Sequence, residues 1–121
     1  MLMRTGTIAG TGALLTFDLG FVPKYVKVFN HVVPITLEWN DKMASGGGDK
    51  IIAAGTHTYV ATNGITPLGG TSALTVSADN TNTDGNTITL TNVKGFTLGT
   101  DSVNGSTNAL SWVAYGDDQE S

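Results

Sequence analysis

Short runs of alternating apolar and polar residues constrain the fold of this chain more than any other feature. In ALLTFDL, the apolar residues Leu15, Phe17 and Leu19 alternate with Thr16 and Asp18. Because successive side chains of a strand point to opposite faces, this pattern predicts a β-strand with one buried face.

The same alternation recurs along the chain, in KYVKVFN, PITLEW, ALTVSA, TITLTN and LSWVAY. Clusters of Gly, Asn and Asp separate these runs, and no window combines helix formers with a helical apolar period. The sequence therefore predicts an all-β fold. We expect a single-domain antiparallel β-sandwich or a jelly-roll-like barrel of about eight to ten short strands.

Composition narrows the classes of partner. The chain has 121 residues, no Cys and a net charge of −4. One domain is expected from this length, and neither disulfides nor thiolate metal sites are available. The acidic balance argues against nucleic-acid binding. Charged residues make up only 13% of the chain. Its surface therefore carries few charges to oppose association with copies of itself or with other proteins.

Both ends of the chain stand apart from the alternating runs. The N-terminus lacks the charged start and continuous apolar stretch of a signal peptide, and no run is long enough to span a bilayer. We therefore expect synthesis in the cytoplasm and no membrane partner. Residues 1–8 are interpreted as a short arm, and residues 117–121 as a polar tail.

Three segments are predicted to be loops by their turn residues. They are ASGGGD at 44–49, TNGITPLGGTS at 62–72 and DNTNTDGN at 79–86. The last segment partly imitates a calcium loop, with Asn80, Asn82 and Asp84, but Thr91 stands where a bidentate Glu is needed. A turn is favoured over a calcium site there.

The remaining candidates for chemistry are sparse. His31 and His57 lack a matching cluster of metal ligands, and the nearest pair of carboxylates is Glu38 with Asp41. We predict no catalytic residue, no metal and no cofactor, so the chain is not expected to be an enzyme. A glycan-cleaving enzyme would require Glu38 and Asp41 to meet in a cleft.

The aromatic residues have two possible roles. The alternation favours a buried position for Trp39 and Trp112, and each Gly-Phe pair, at 20–21 and 95–96, is expected to direct a Phe into the core. The predicted core residues are thus Phe21, Trp39, Phe96 and Trp112. The alternative is that Trp39, Tyr25 or Tyr115 is exposed and stacks on a sugar ring.

The order of several short motifs resembles a class of small structural proteins of tailed phages. The motifs are GFVPKYVKVFN, ITLEWNDKM, AAGTHT, NGIT and GFTLGTDSVNGSTNALSWVAYG. The matching residues are Gly20, Phe21, Pro23, Val26, Val28, Asn30, Gly95, Phe96, Gly99, Asn104, Trp112 and Ala114. The resemblance extends over residues 12–116 and implies a component of a phage particle, while residues 78–92 have no counterpart in it.

Within that class, we expect a capsid decoration protein that binds the outer surface of the head as an oligomer, a trimer, in contact with the major capsid protein. The predicted contact residues form the arm: Met1, Leu2, Met3, Arg4, Thr5, Gly6, Thr7 and Ile8. They would pair with a neighbouring chain or with the capsid by strand addition, and a chain without them is expected to fold. The alternative is a tail-fibre or head-fibre module that binds host-surface glycans through the three loops.

Overall fold

The structure is a computed structural model that describes residues 2–70, 73–76 and 88–117. These residues contain ten strands and no helix, so the all-β prediction is confirmed. The strands are β1 (Leu2–Ala9), β2 (Leu15–Asp18), β3 (Pro23–Asn30), β4 (Ile35–Asn40), β5 (Gly47–Ile51), β6 (His57–Gly69), β7 (Ala73–Val76), β8 (Ile88–Thr91), β9 (Lys94–Leu98) and β10 (Ala109–Gly116).

Eight of these strands form one antiparallel sheet in the order β1-β10-β3-β4-β5-β6-β9-β2, and β7 pairs with β8 separately. The two edges of the large sheet are therefore β1 and β2, which follow each other in sequence. The sheet curls into a half-barrel. This curvature brings Phe17, near one edge, into contact with Trp112, near the other edge, with ring centroids 5.3 Å apart.

The core occupies the inside of this curl. The alternating runs supply it, so that Val26 and Val28 of β3 and Leu37 of β4 are buried. The four predicted core residues Phe21, Trp39, Phe96 and Trp112 are 3%, 2%, 0% and 7% exposed.

Three aromatic rings join the two halves of the sheet. Phe17 stacks on Phe96 with ring centroids 4.4 Å apart, and both rings meet Trp112 edge-on. Burying each ring contributes on the order of 2 kcal/mol, and each aromatic pair adds about 1 kcal/mol. This cluster holds β2 and β9 against β10.

The predicted loops 44–49 and 62–72 overlap strands of the sheet, and for the overlapping residues the loop prediction was wrong, whereas residues 44–46 lie in the connection between β4 and β5. Residues 47–49 begin β5, and residues 62–69 belong to β6. At Gly48 a Cβ atom would lie 2.6 Å from the Leu37 side chain. The glycine run thus lets β5 pass close to the core instead of forming a flexible tip.

The sequence predicts a turn at Asn63, but in the structure this residue lies in a bulge of β6. Asn63 has a φ of 65°, as the sequence pattern suggests, but it lies inside β6. The register moves from Gly48↔Val60 to Gly47↔Ile65, so residues 61–64 form a bulge. The third predicted loop, 79–86, and its calcium-like pattern lie outside the described residues.

Candidate functional site

The segment predicted to be an arm is an edge strand of the sheet. Leu2–Ala9 forms β1 and pairs with β10 along its whole length, from Leu2↔Gly116 to Ala9↔Ala109. The segment is therefore integrated into the fold instead of projecting from it, which corrects the expectation of a separate arm. Met1 and residues 118–121 of the predicted tail lie outside the described residues.

Side chains of β1 also contribute to the body of the protein. Leu2 and Ile8 pack against the core, and the Arg4 guanidinium donates a hydrogen bond to the Leu19 carbonyl at 3.2 Å. A Cβ atom on Gly6 would lie 2.8 Å from the Trp112 ring, so this strand covers the indole closely. Removal of β1 would uncover Trp112, which argues against the expectation that a chain without residues 1–8 folds.

The backbone groups of β1 that face away from β10 are identified by the pairing. The Gly10 N–H donates to Asn108 O at 2.8 Å, and the His31 N–H donates to Ala109 O at 2.9 Å. Along β10, the backbone groups of even-numbered residues therefore bond to β1, and those of odd-numbered residues bond to β3. It follows that Met3, Thr5 and Thr7 direct their N–H and C=O groups to the open side of β1.

The two edges of the sheet differ in their protection against association. Short strands, prolines and charged side chains discourage edge-to-edge pairing. The β2 edge has only four residues and ends in Asp18, whereas β1 has eight residues, no proline and one charge. That charge belongs to Arg4, which is engaged with Leu19 O. Among the described strands, no partner covers the open side of β1.

One end of the half-barrel is closed by residues 99–108, a role that the sequence interpretation missed. The buried Asn104 side chain donates to Ala13 O at 2.7 Å and to Gly99 O at 2.9 Å. Its Oδ1 accepts from the N–H groups of Thr11 and Gly12 at 2.9 and 3.3 Å. A single side chain thereby joins the connection after β1 to the segment after β9.

Two further contacts fix the same end. The Asn30 Nδ2 donates to Val103 O at 3.0 Å. The Lys50 ammonium lies 3.1 Å from the Asp101 carboxylate, and the two side chains are only 16% and 6% exposed. Asn30, Gly99 and Asn104 were noticed in the sequence as parts of a resemblance, and in the structure they are the residues that close this end.

Tyrosines cluster on the outer side of the opposite part of β3 and β10. Tyr25 faces Tyr115 across the strand pair, and their ring centroids are 5.7 Å apart. The Tyr25 hydroxyl donates a hydrogen bond to Glu38 Oε2. The pKa of Tyr25 is raised well above its ordinary value. Burial of the ring is the largest cause, and the hydrogen bond to Glu38 is the second.

This raised pKa gives a test by alkaline titration. The fold favours the neutral phenol, so Tyr25 contributes stability that is complete below its ordinary pKa of about 10 and is lost as pH rises beyond it. We expect Tyr25 to remain protonated in the native protein when ordinary tyrosines ionise. Near-ultraviolet absorbance of tyrosinate in the native protein and in Tyr25→Phe measures this. If Tyr25→Phe loses a tyrosinate absorbance step at about pH 10, Tyr25 ionises at its ordinary pKa and the expectation is wrong. Replacement of Glu38 by Gln should lower the pKa of Tyr25, because it removes a negative charge beside the phenol.

The candidates for catalysis and metal binding do not converge. Glu38 accepts the bond from Tyr25, whereas Asp41 lies 3.6 Å from the Lys24 ammonium. His31 lies 2.7 Å from the Ser111 hydroxyl, and His57 lies 2.7 Å from the Asp49 carboxylate. In the part of the chain that the structure describes, no three His, Asp or Glu side chains are grouped to hold a metal ion, and no helix has the length and apolarity to span a membrane.

Comparison with known proteins adds no further assignment. No protein-family model matches the sequence, and neither the curated proteins nor the solved structures contain a match. The resemblance to small phage structural proteins therefore stays a prediction from the motifs.

Proposed function

We propose that this protein is a non-enzymatic structural component of a phage virion, a decoration protein that binds the outer surface of the head as a trimer and contacts the major capsid protein. The observation that carries the proposal is the unprotected edge of β1. This edge has eight residues, lacks proline and turns its one charge toward Leu19. The motif resemblance supports the choice of a phage particle.

The proposed mechanism is strand addition. The backbone groups of Met3, Thr5 and Thr7 form a row along the open side of β1, and a strand from another chain can complete their hydrogen bonds. Each contact is small, but many copies on one head act together through their effective concentration. The neighbouring strand belongs to another copy of this chain or to the capsid protein.

A proline at position 5 tests this mechanism. Thr5 directs its N–H to the open side of β1, so Thr5→Pro removes a donor from the free edge and leaves the pairing with β10 intact. We expect the variant to fold but to lose self-association by about tenfold or more, because one hydrogen bond is lost and the proline ring obstructs the incoming strand. Sedimentation over a range of protein concentrations measures this change.

The matched control is Thr5→Val, which keeps both the N–H group and a β-branched side chain. It should associate as the original protein does. Equal association of Thr5→Pro and the original protein would exclude β1 as the contact edge between copies of this chain. The location on the head is tested separately by purifying assembled phage particles. Density on the outer head surface is expected, and particles that lack the protein would contradict the proposal.

A further inference from the structure

A cleft of about 460 Å³ lies where β3 and β10 pair, on the side of the sheet away from the core. Its lining consists of Lys24, Tyr25, Tyr115, Gly116 and Asp117. The two rings are inclined at 45° to each other, and the surface of the cleft is mainly apolar. Val26 and Ala114, which alternate with these tyrosines, are buried, so the strand pattern itself directs the rings outward.

The aromatic surface is fixed in orientation. The Tyr25 hydroxyl bonds to Glu38, and Tyr115 is held against Tyr25 by the direct pairing of the two residues. Both side chains are half-buried. A ligand that stacks on rings already held in place loses less conformational entropy on binding than one that must order them.

Charged groups border this surface and provide both donors and acceptors. The Lys24 ammonium lies 3.5 Å from the Asp117 carboxylate and 3.6 Å from the Asp41 carboxylate. A second cavity of about 280 Å³ also has Lys24 in its wall, together with Asp41, Ser45 and the buried core residue Trp39.

We propose that this cleft binds a neutral glycan, with a pyranose ring against Tyr25 and Tyr115. A sugar ring presents apolar C–H groups to an aromatic ring and hydroxyl groups around its edge. Lys24 can donate to those hydroxyls and Asp117 can accept from them. An aromatic surface bordered by a small number of polar groups is typical of ligand-binding sites.

The charge balance selects among glycans. Among the described residues, Lys24 is the one cation that lines the cleft; the carboxylates of Asp41 and Asp117 lie beside it, and the Glu38 carboxylate accepts the Tyr25 hydroxyl bond. An acidic sugar would add a further negative charge close to these groups, which disfavours its binding. The proposed ligand is therefore uncharged. The lining of the aromatic cleft contains no residue of the predicted loops 44–49 and 62–72, and the cleft adds a recognition role to the proposed decoration function.

The test uses the full chain and four defined probes. Maltoheptaose, cellohexaose and hexa-N-acetylchitohexaose represent neutral glycans, and polygalacturonate represents an acidic one. Binding is followed by chemical-shift changes in nuclear magnetic resonance spectra. We expect saturable binding of at least one neutral probe, with the largest shifts at Tyr25, Tyr115 and Gly116, and weaker binding of polygalacturonate.

Two variants assign the binding to the cleft. Tyr115→Ala should weaken the affinity by about tenfold or more, because a stacking ring is lost. Lys24→Ala, on an exposed side chain, should weaken it several-fold without altering ring packing. Phe29→Ala is the matched control, since Phe29 is another aromatic residue on the outer face of β3, away from the cleft.

Four results would overturn the proposal: no saturable binding of any neutral probe, tighter binding of polygalacturonate, equal weakening by Tyr115→Ala and Phe29→Ala, or unchanged affinity in both Lys24→Ala and Tyr115→Ala. Thermal unfolding of each variant verifies that it folds. Self-association through β1 should be unchanged in Tyr115→Ala, so failure of the glycan proposal and failure of the decoration proposal give different results.

Discussion

Replacement of Gly95 by alanine is expected to prevent β2 from pairing and to leave the protein largely unfolded. A Cβ atom on Gly95 would lie 1.9 Å from the Phe17 carbonyl oxygen and 3.0 Å from the Leu19 nitrogen. Both atoms belong to the backbone, so no side-chain rotation relieves the contact. Gly95 pairs with Asp18, and the overlap therefore separates β9 from β2.

The size of this effect follows from what β2 buries. Leu15 and Phe17 are 0% and 1% exposed, and each contributes on the order of 2 kcal/mol by its burial. Loss of both is comparable with the total stability of about 5–15 kcal/mol of a typical domain. Urea unfolding, followed by the fluorescence of Trp39 and Trp112, should show a much lower midpoint or no cooperative transition in Gly95→Ala.

The matched control for this experiment is Gly69→Ala. Gly69 pairs with Lys94, beside Gly95, and a Cβ atom there would meet nothing within 4 Å. The control should keep the midpoint of the original protein within a small margin. If Gly95→Ala unfolds at the same urea concentration as Gly69→Ala, close approach of the two strands is not what requires glycine at position 95.

Replacement of Asn104 by alanine is expected to destabilise the protein by about 3 kcal/mol or more. The side chain makes four hydrogen bonds, to Ala13 O, Gly99 O and the N–H groups of Thr11 and Gly12. Asn104 is 2% exposed, so water cannot readily replace the lost partners. A buried polar group without a partner costs about 1–3 kcal/mol, and this substitution leaves several.

The same unfolding measurement tests this effect, with Asn40→Ala as its control. The Asn40 side chain accepts one exposed local bond, from the Lys42 N–H, so its removal should change the free energy of unfolding by about 1 kcal/mol or less. Similar losses in the two variants would show that Asn104 does not hold the closed end of the half-barrel together.

The local part of the fold was predictable from the sequence because it depends on neighbouring residues. The alternation in KYVKVFN places Val26 and Val28 on one face of their strand, and both are buried; the first Gly-Phe pair begins with a turn at Gly20, which has a φ of 84°. Gly95 begins the second Gly-Phe pair, but it lies within β9 and is required by the close approach of β2 instead of by a turn. A glycine in a sequence does not reveal which of these two needs it meets.

Contacts between distant segments were beyond the reach of the patterns. The cleft exists because β10 pairs with β3, which brings Tyr115 opposite Tyr25, and no periodicity encodes that register. The choice of residues 1–8 as a contact segment rested on their apolar, strand-compatible composition. That composition is equally suited to pairing within the chain, and β10 uses one side of it.

The position of β10 between β1 and β3 has a consequence for biosynthesis. During translation the first strand has no lateral neighbour until the last strand has left the ribosome, so the sheet closes late and through distant contacts. The ordered open edge of β1 is consequently formed only after β10 is available to pair with it. A chain truncated before β10 lacks this ordered edge, so the strand addition proposed above requires that β10 has been synthesised.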